Sequence, residues 1–199
     1  LLGGSGILEV VQPVLNRLAQ SCGELVRLAV VDNGRLPFVA KAQGARSGLR
    51  FDPDMGGEAA LFCSASGMAW LASLPADEAI AHVVRQGFTQ LEQRGARVPR
   101  TIAEVMHQVA ETRRRGYACA IETWAAGMSS CAVAVAAPGS DRVGGVVSVA
   151  GPSVRLTEAA IEALIPELRQ AAEELSAFAP LADYLESINP APPRPASMR

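Results

Sequence analysis

Residues 62–73, FCSASGMAWLAS, set Cys63, Ser64, Ser66 and Gly67 directly before an apolar run. Two chemistries fit these residue types. A nucleophilic Cys63 or Ser64 needs a base within hydrogen-bond reach and usually a carboxylate to orient that base. A helix beginning near Ser64 would instead leave the N–H groups of Ala65, Ser66 and Gly67 unpaired and ready for an anion, with the hydroxyls of Ser64 and Ser66 as further donors. The bland alternative is that Ser64 only caps its own helix. The bases on offer are His82 and His107, both inside helical patterns that look solvent-facing, and Ser64 does not stand in the G-x-S-x-G elbow of hydrolases. The expectation is a binding function, with no enzyme activity and no catalytic residue.

Other reactive types give less. Cys22, Cys63, Cys119 and Cys131 lie far apart with no C-x-x-C pair, and neither histidine has zinc spacing, so no metal or cofactor is expected. Arg113, Arg114 and Arg115 read as solvated cations in the last turn of a helix, where they favour its dipole. Met68, Trp70, Trp124 and Met128 belong by default to a core, although they could line a pocket. Glu122, between a strand and a loop, reads as a solvated or hydrogen-bonded carboxylate.

The elements that must position these residues follow from periodicity and punctuation. Leu8, Val11, Leu15, Leu18 and Ala19 recur at helical spacing over residues 7–22, with Pro13 as a boundary or kink and Gly23 as a stop. Residues 25–31 and 36–40 read as a hairpin across Asp32-Asn33-Gly34. Residues 43–58 read as loop with at most one short strand. Short helices are expected at 64–73 and from Pro75 to about Arg85. Thr101 and Glu104 form a capping-box pattern for a helix to Arg115, which Gly116 ends. Three extended stretches, 117–121, 130–137 and 145–150, form a meander. Thr157 caps a last helix with Pro166 as a bend.

That order predicts an α+β domain, an antiparallel sheet with helices packed on it. With 199 residues and 49% hydrophobic content, the chain can bury a sizeable core. A net charge of −2 argues against nucleic-acid binding through bulk electrostatics. There is no signal-peptide pattern and no uninterrupted run of 18 apolar residues, so reduced thiols in a cytoplasm and no membrane association are expected. Because residue 1 is Leu, the chain reads as processed or as part of something longer.

Taken together, four blocks resemble the effector-binding domain of IclR-type transcriptional regulators. LNRLAQSCGELVRLAVVDNGRLPFVA is similar to that family's opening helix and hairpin, and FCSASGMAWLAS to its A-T-A-S-G-K-A-x-L-A segment. The run from Arg100 through GYACAIETWAAGMSS resembles its T-I-T…R-x-x-G-Y-A-x-D-x-E-E-x-x-x-G block, and GGVVSVAGPSVRLT its closing S-x-S-G-P strand. The resemblance implies a GAF-like fold over residues 1–179, with 180–199 a Pro-rich tail, extended or disordered. It also implies a ligand region at Ser64, Ala65, Ser66, Gly67, Met128, Ser129, Ser130 and Ser148, with Phe62, Met68, Ala120, Glu122, Trp124 and Ala150 as candidate lining.

Five positions depart from the family pattern: Met68 stands for Lys, Ala120 for Asp, Thr123 for Glu, Ala134 for Pro and Ala150 for Ser. These make the expected pocket more apolar, so the implied effector is a carboxylate with an apolar body, aromatic or branched, held by the helix tip without a nearby Arg or Lys. The implied partners are that effector and further copies of the chain, as a homodimer or homotetramer. DNA would be reached only through a winged helix-turn-helix domain absent from these residues. The alternative reading is a free-standing GAF-like small-molecule or thiol redox sensor using Cys63 or Cys131.

Overall fold

Gly23 is where the first helix must stop: its φ of +69° is a left-handed conformation, and its N–H donates to the Ala19 carbonyl at 2.9 Å. A computed structural model describes residues 3–53, 57–136 and 142–178, together with Leu181, Tyr184, Ser187 and Ile188. Helix α1 spans Gly3–Cys22 and buries Val11, Leu15, Leu18 and Ala19, while Leu8 of the expected stripe is 42% exposed. Pro13 lies inside the helix instead of bounding it. Strands β1 (Leu25–Val30) and β2 (Phe38–Gln43) form the hairpin. At its tip Asn33 and Gly34 take φ of +49° and +78°, the primed turn that matches strand twist, and Asp32 and Arg35 exchange backbone hydrogen bonds.

Helices α2 (Ala65–Leu71) and α3 (Ala76–Gln86) follow, then a single 3-10 turn at Leu91–Gln93. Helix α4 (Ile102–Arg115) starts at a complete capping box of Thr101 and Glu104 and stops at left-handed Gly116. The meander is β3 (Ala118–Ile121), β4 (Met128–Ala136) and β5 (Val143–Pro152); the punctuation at residues 137–141 falls outside the described residues. Helix α5 (Glu158–Ala177) is capped by Thr157 and carries Pro166 inside.

All pairings are antiparallel, in the order β2-β1-β5-β4-β3, so the first and last strands of the chain are neighbours. Helices cover both faces. Val26, Leu28, Val30, Cys131, Val147 and Val149 join the core under α1 and α5, and Ala29, Val31, Ala118, Ala132 and Val146 join the core under α2, α3 and α4. Two buried faces explain why β1 and β5 read as almost continuous apolar runs and not as an alternation of apolar and polar residues. The domain is α+β, as its element order predicts. Beyond the boundary drawn at residue 179, Leu181 is buried in the α1/α5 core, with Tyr184 and Ile188 packed against it. The other residues of the expected tail, 180, 182, 183, 185, 186 and 189–199, lie outside the described residues.

One ion pair fixes how β1 meets β5. Glu24, buried just before β1, accepts two hydrogen bonds from Arg155 at 2.7 and 3.0 Å. A side chain at Gly151 would press into that carboxylate, since an added Cβ would lie 2.4 Å from Glu24 Oε2. Arg155 also donates to the Leu49 carbonyl at 2.8 Å. Removing the guanidinium strands a buried carboxylate. Because Arg155 is itself partly exposed, we expect Arg155→Met to lower stability by about 2 kcal/mol, less than for a fully buried pair, read as a reduced urea midpoint at unchanged m-value.

Candidate functional site

The helix tip singled out by sequence is mostly spoken for. Ser64 is the N-cap of α2, and its hydroxyl accepts from the Gly67 N–H at 3.0 Å. Gly67 is there for packing: a Cβ on it would lie 2.5 Å from Leu61 Cα and 2.6 Å from the Leu61 carbonyl oxygen. Helix geometry leaves the N–H groups of Ala65 and Ser66 without a partner inside the helix, but α2 is only seven residues long. Thr123, where the family pattern has Glu, donates to the Cys63 carbonyl at 2.5 Å and ties the β3–β4 connection to this tip. Arg113 is not simply solvated. It donates to the carbonyls of Ala72 and Leu74 at 3.0 and 2.9 Å, holding the α2–α3 link.

A cavity of about 130 Å³ opens between that tip and the sheet. Its walls bring together Ser64, Ala65, Ser66, Ala120, Trp124, Met128, Ser129, Ser130, Ser148 and Ala150 from the expected set. The cross-strand register explains the grouping, since Ala120 pairs with Ser130, Ser130 with Ala150, and Ser148 with Arg27. Met128–Ser130 open strand β4, which starts two residues ahead of the stretch expected from residue 130.

Four expected residues stand elsewhere. Gly67 is enclosed by α2 packing, and Phe62 is fully buried against Phe88 at 5.0 Å between ring centres. Met68 is buried in the α2–α4 core with Trp70. Glu122 has a φ of +52° and accepts a hydrogen bond from the Ser153 hydroxyl at 3.1 Å, outside the cavity.

The residue that sequence reasoning missed is Arg27. The expectation of a pocket without a nearby cation is corrected by it: Arg27 points from β1 into the cavity, with its guanidinium carbon 3.7 Å from the Phe38 ring centre and 5.6 Å from that of Phe51. Its Nε is sealed from solvent with no hydrogen-bond partner, and it forms no ion pair among the described residues. Burial lowers its pKa to about 10, leaving it charged at neutral pH. The signal was available: a lone Arg in LVRLAV, a strand apolar on either side of it. Phe51, from the stretch read as loop, meets Trp124 edge-on at 5.3 Å and closes another wall.

The thiols are the wrong kind for fast chemistry. Burial pushes Cys22 up to about 11 and Cys63 to about 12, and raises Cys119 and Cys131 as well. Arg94 pulls the Cys63 thiol the other way, but burial outweighs it. Neither histidine hydrogen-bonds Ser64: His82 packs at a tilt of 50° against Trp70, 4.7 Å between ring centres, and its pKa is lowered mainly by burial. Among the described residues no group of three His, Cys, Asp or Glu side chains gathers to hold a metal, and no helix is long and apolar enough to cross a membrane.

The family model described as bacterial transcriptional regulator IclR C-terminal matches residues 1–177. The chain belongs to this family. It is 29% identical over 173 residues to the HTH-type transcriptional regulator BhcR of Paracoccus denitrificans, covering 86% of the chain and 60% of that protein. To the HTH-type transcriptional repressor AllR of Klebsiella pneumoniae it is 31% identical over 157 residues, covering 76% of the chain and 54% of the relative. The chain thus spans somewhat over half the length of these curated relatives. The IclR crystal structure from Thermotoga maritima superposes with a TM-score of 0.74 at 23% identity, over 85% of this chain and 67% of that one. The C-terminal domain of E. coli KdgR does so with 0.72 at 18% identity, over 88% and 98%. At those identities the two structures speak to the fold of this IclR-type domain.

All four thiols of the native IclR-type domain are expected to react with iodoacetamide at pH 7.5 more slowly than free cysteine, and at the free rate once unfolded in guanidinium. Mass spectrometry of quenched time points checks this. A single fast cysteine would restore the thiol-sensor reading.

Proposed function

We propose that this chain is the ligand-sensing part of a bacterial one-component transcriptional regulator. A small organic acid with an apolar body occupies the cavity between α2 and the sheet, and its occupancy sets the DNA affinity of a winged helix-turn-helix domain carried elsewhere in the protein. The observation that carries this reading is the cavity itself. It is concave, walled by Ala120, Ala150, Trp124 and Phe51, and supplied with the hydroxyls of Ser66, Ser130 and Ser148. Few, placed polar groups on an apolar wall are what a small-molecule site needs.

Family membership supports the regulatory role, and the two relatives named as HTH-type regulators extend well beyond the part this chain matches. On this reading the domain acts in the cytoplasm as a homodimer or homotetramer, so that two DNA-reading heads meet two half-sites. No reaction is assigned to it. Ser64 spends its hydroxyl on Gly67, and no base reaches it among the described residues.

Strand β1 supports a route for the signal. Arg27 faces the cavity, whereas Val26 and Leu28 on the same strand pack in the core under α1. A ligand that shifts β1 therefore acts on a strand against which α1 packs.

The test is a thermal-shift screen of the 199-residue chain against branched and aromatic acids, glyoxylate, pyruvate and matched neutral compounds. A ligand present at 100 times its Kd adds about 2.7 kcal/mol, which for a domain of this size is a rise on the order of 5–10 °C. At least one acid with an apolar body is expected to give such a rise, and Ser148→Ala to reduce it. If no compound in the set moves the midpoint, the ligand-sensing reading falls. If glyoxylate or pyruvate gives the largest rise, the apolar-body part of it falls.

A further inference from the structure

A cation enclosed without a counter-charge costs folding free energy unless something binds it. Arg27, half-buried with its Nε sealed from solvent, approaches that position. It lies partway along β1, an interior strand, beside the cavity, and no described carboxylate reaches it. The carboxylate at the cavity rim, Glu58, is engaged by Arg35 at 2.7 Å. The cavity therefore presents an uncompensated positive charge.

Geometry restricts what can answer it. A guanidinium is planar and directs its N–H groups outward in that plane. Phe38 lies against Arg27 at 3.7 Å from ring centre to guanidinium carbon, with Phe51 further off at 5.6 Å. The Phe38 ring under the guanidinium carbon offers no lone pair and Nε is sealed, so the edge formed by the two terminal nitrogens, which donate no hydrogen bond among the described residues, is left for an acceptor in the cavity. A carboxylate meets that edge with two parallel hydrogen bonds. Ser148, directly opposite Arg27 in the β1–β5 register, offers its hydroxyl on the same floor. Its present bond, to the Arg27 carbonyl at 3.5 Å, is at the long limit and easily exchanged.

The remaining wall sets the rest of the ligand. Ala120 and Ala150 leave space above the sheet, and Trp124 and Met128 give it apolar sides. The volume of 130 Å³ is close to the roughly 150 Å³ of a cavity known to admit benzene. One six-membered ring fills it.

We infer that Arg27 is the anchor for the effector's negative charge, and that the effector is a monocarboxylate bearing a single compact planar apolar group next to the carboxylate. This rests on the cavity being the effector site and names both the residue and the ligand class that give the site its selectivity. A second carboxylate on the ligand would meet the apolar end and be excluded. An amide of the same shape would fit the space but forfeit the charge.

Isothermal titration of the 199-residue chain with benzoate and its neutral isostere benzamide tests the inference. The wild type is expected to bind benzoate at least tenfold more tightly than benzamide. Arg27→Gln should weaken benzoate thirtyfold or more, leave benzamide within about threefold, and melt in the absence of ligand at or above the wild-type midpoint. Arg27→Lys should retain part of the preference for the acid.

Equal benzoate affinity in wild type and Arg27→Gln, or equal affinities for acid and amide in the wild type, overturns the anchor and leaves the cavity as a ligand site. A lowered ligand-free midpoint of Arg27→Gln with an unchanged acid-to-amide ratio assigns Arg27 to packing and also overturns it. Absence of binding by either probe overturns the ligand class. The thermal-shift screen then separates that result from loss of the cavity reading, because another compound would still raise the midpoint.

Discussion

The pairing of β1 with β5 is the constraint on which the rest depends. Side chains alternate along a strand, so a slip of one residue would carry Val26 or Leu28 to the cavity and drive Arg27 into the core under α1 and α5. The register that pairs Leu25 with Ala150 and Arg27 with Ser148 is held at one end by the buried Glu24 and its two hydrogen bonds from Arg155. Gly151 is small enough to let that carboxylate close on β5. Glu24 lies three residues before Arg27, the β1 residue on the cavity floor, so the ion pair is a device for position more than a source of stability.

The opposite wall is set by equally close contacts. Gly67 lets α2 settle onto the Leu61 backbone, Ser64 closes the first turn, and Thr123 ties that turn to the β3–β4 connection. Arg113 of α4 holds the other end through two carbonyls. A seven-residue helix has little stability of its own, and its position comes from these tertiary contacts. Between two fixed walls, Arg27 is the conspicuous conflict: its surroundings lower its pKa by desolvation while giving it aromatic rings and no anion. Conflicts of this sort collect where a protein does its work.

What the sequence made legible was local. Gly23, Asn33-Gly34, the Thr101–Glu104 box, Gly116 and Thr157 each act within a few residues, and each marks a boundary close to where it was read. The order of elements brought the α+β sheet into view and the family blocks most of the cavity floor, because Ser130, Ser148, Ala120 and Ala150 are set by strand alternation. Nonlocal facts were hidden. Gly67 reads as an invitation to a ligand until the Leu61 backbone is seen against it, and Phe62 and Met68 read as pocket walls until Phe62 is seen against Phe88 and Met68 in the core beneath α2. Arg27 escaped notice because its meaning depends on which strand lies beside β1, and the order β2-β1-β5 joins segments more than a hundred residues apart.

The dealing of successive β1 residues to opposite cores has a consequence for how such a domain diverges. Val26, Leu28 and Val30 answer to the packing of α1 and α5, whereas Arg27 answers to the cavity. Changes at Arg27, Ser148, Ala120 or Ala150 alter charge and room on one side of the sheet and leave the interlocking of the other side untouched. On the proposed reading of the cavity, specificity and architecture are thereby placed under nearly independent selection, residue by residue along the same strand. A cavity built this way lets a lineage trade one bound compound for another by single steps while keeping a melting temperature its host tolerates.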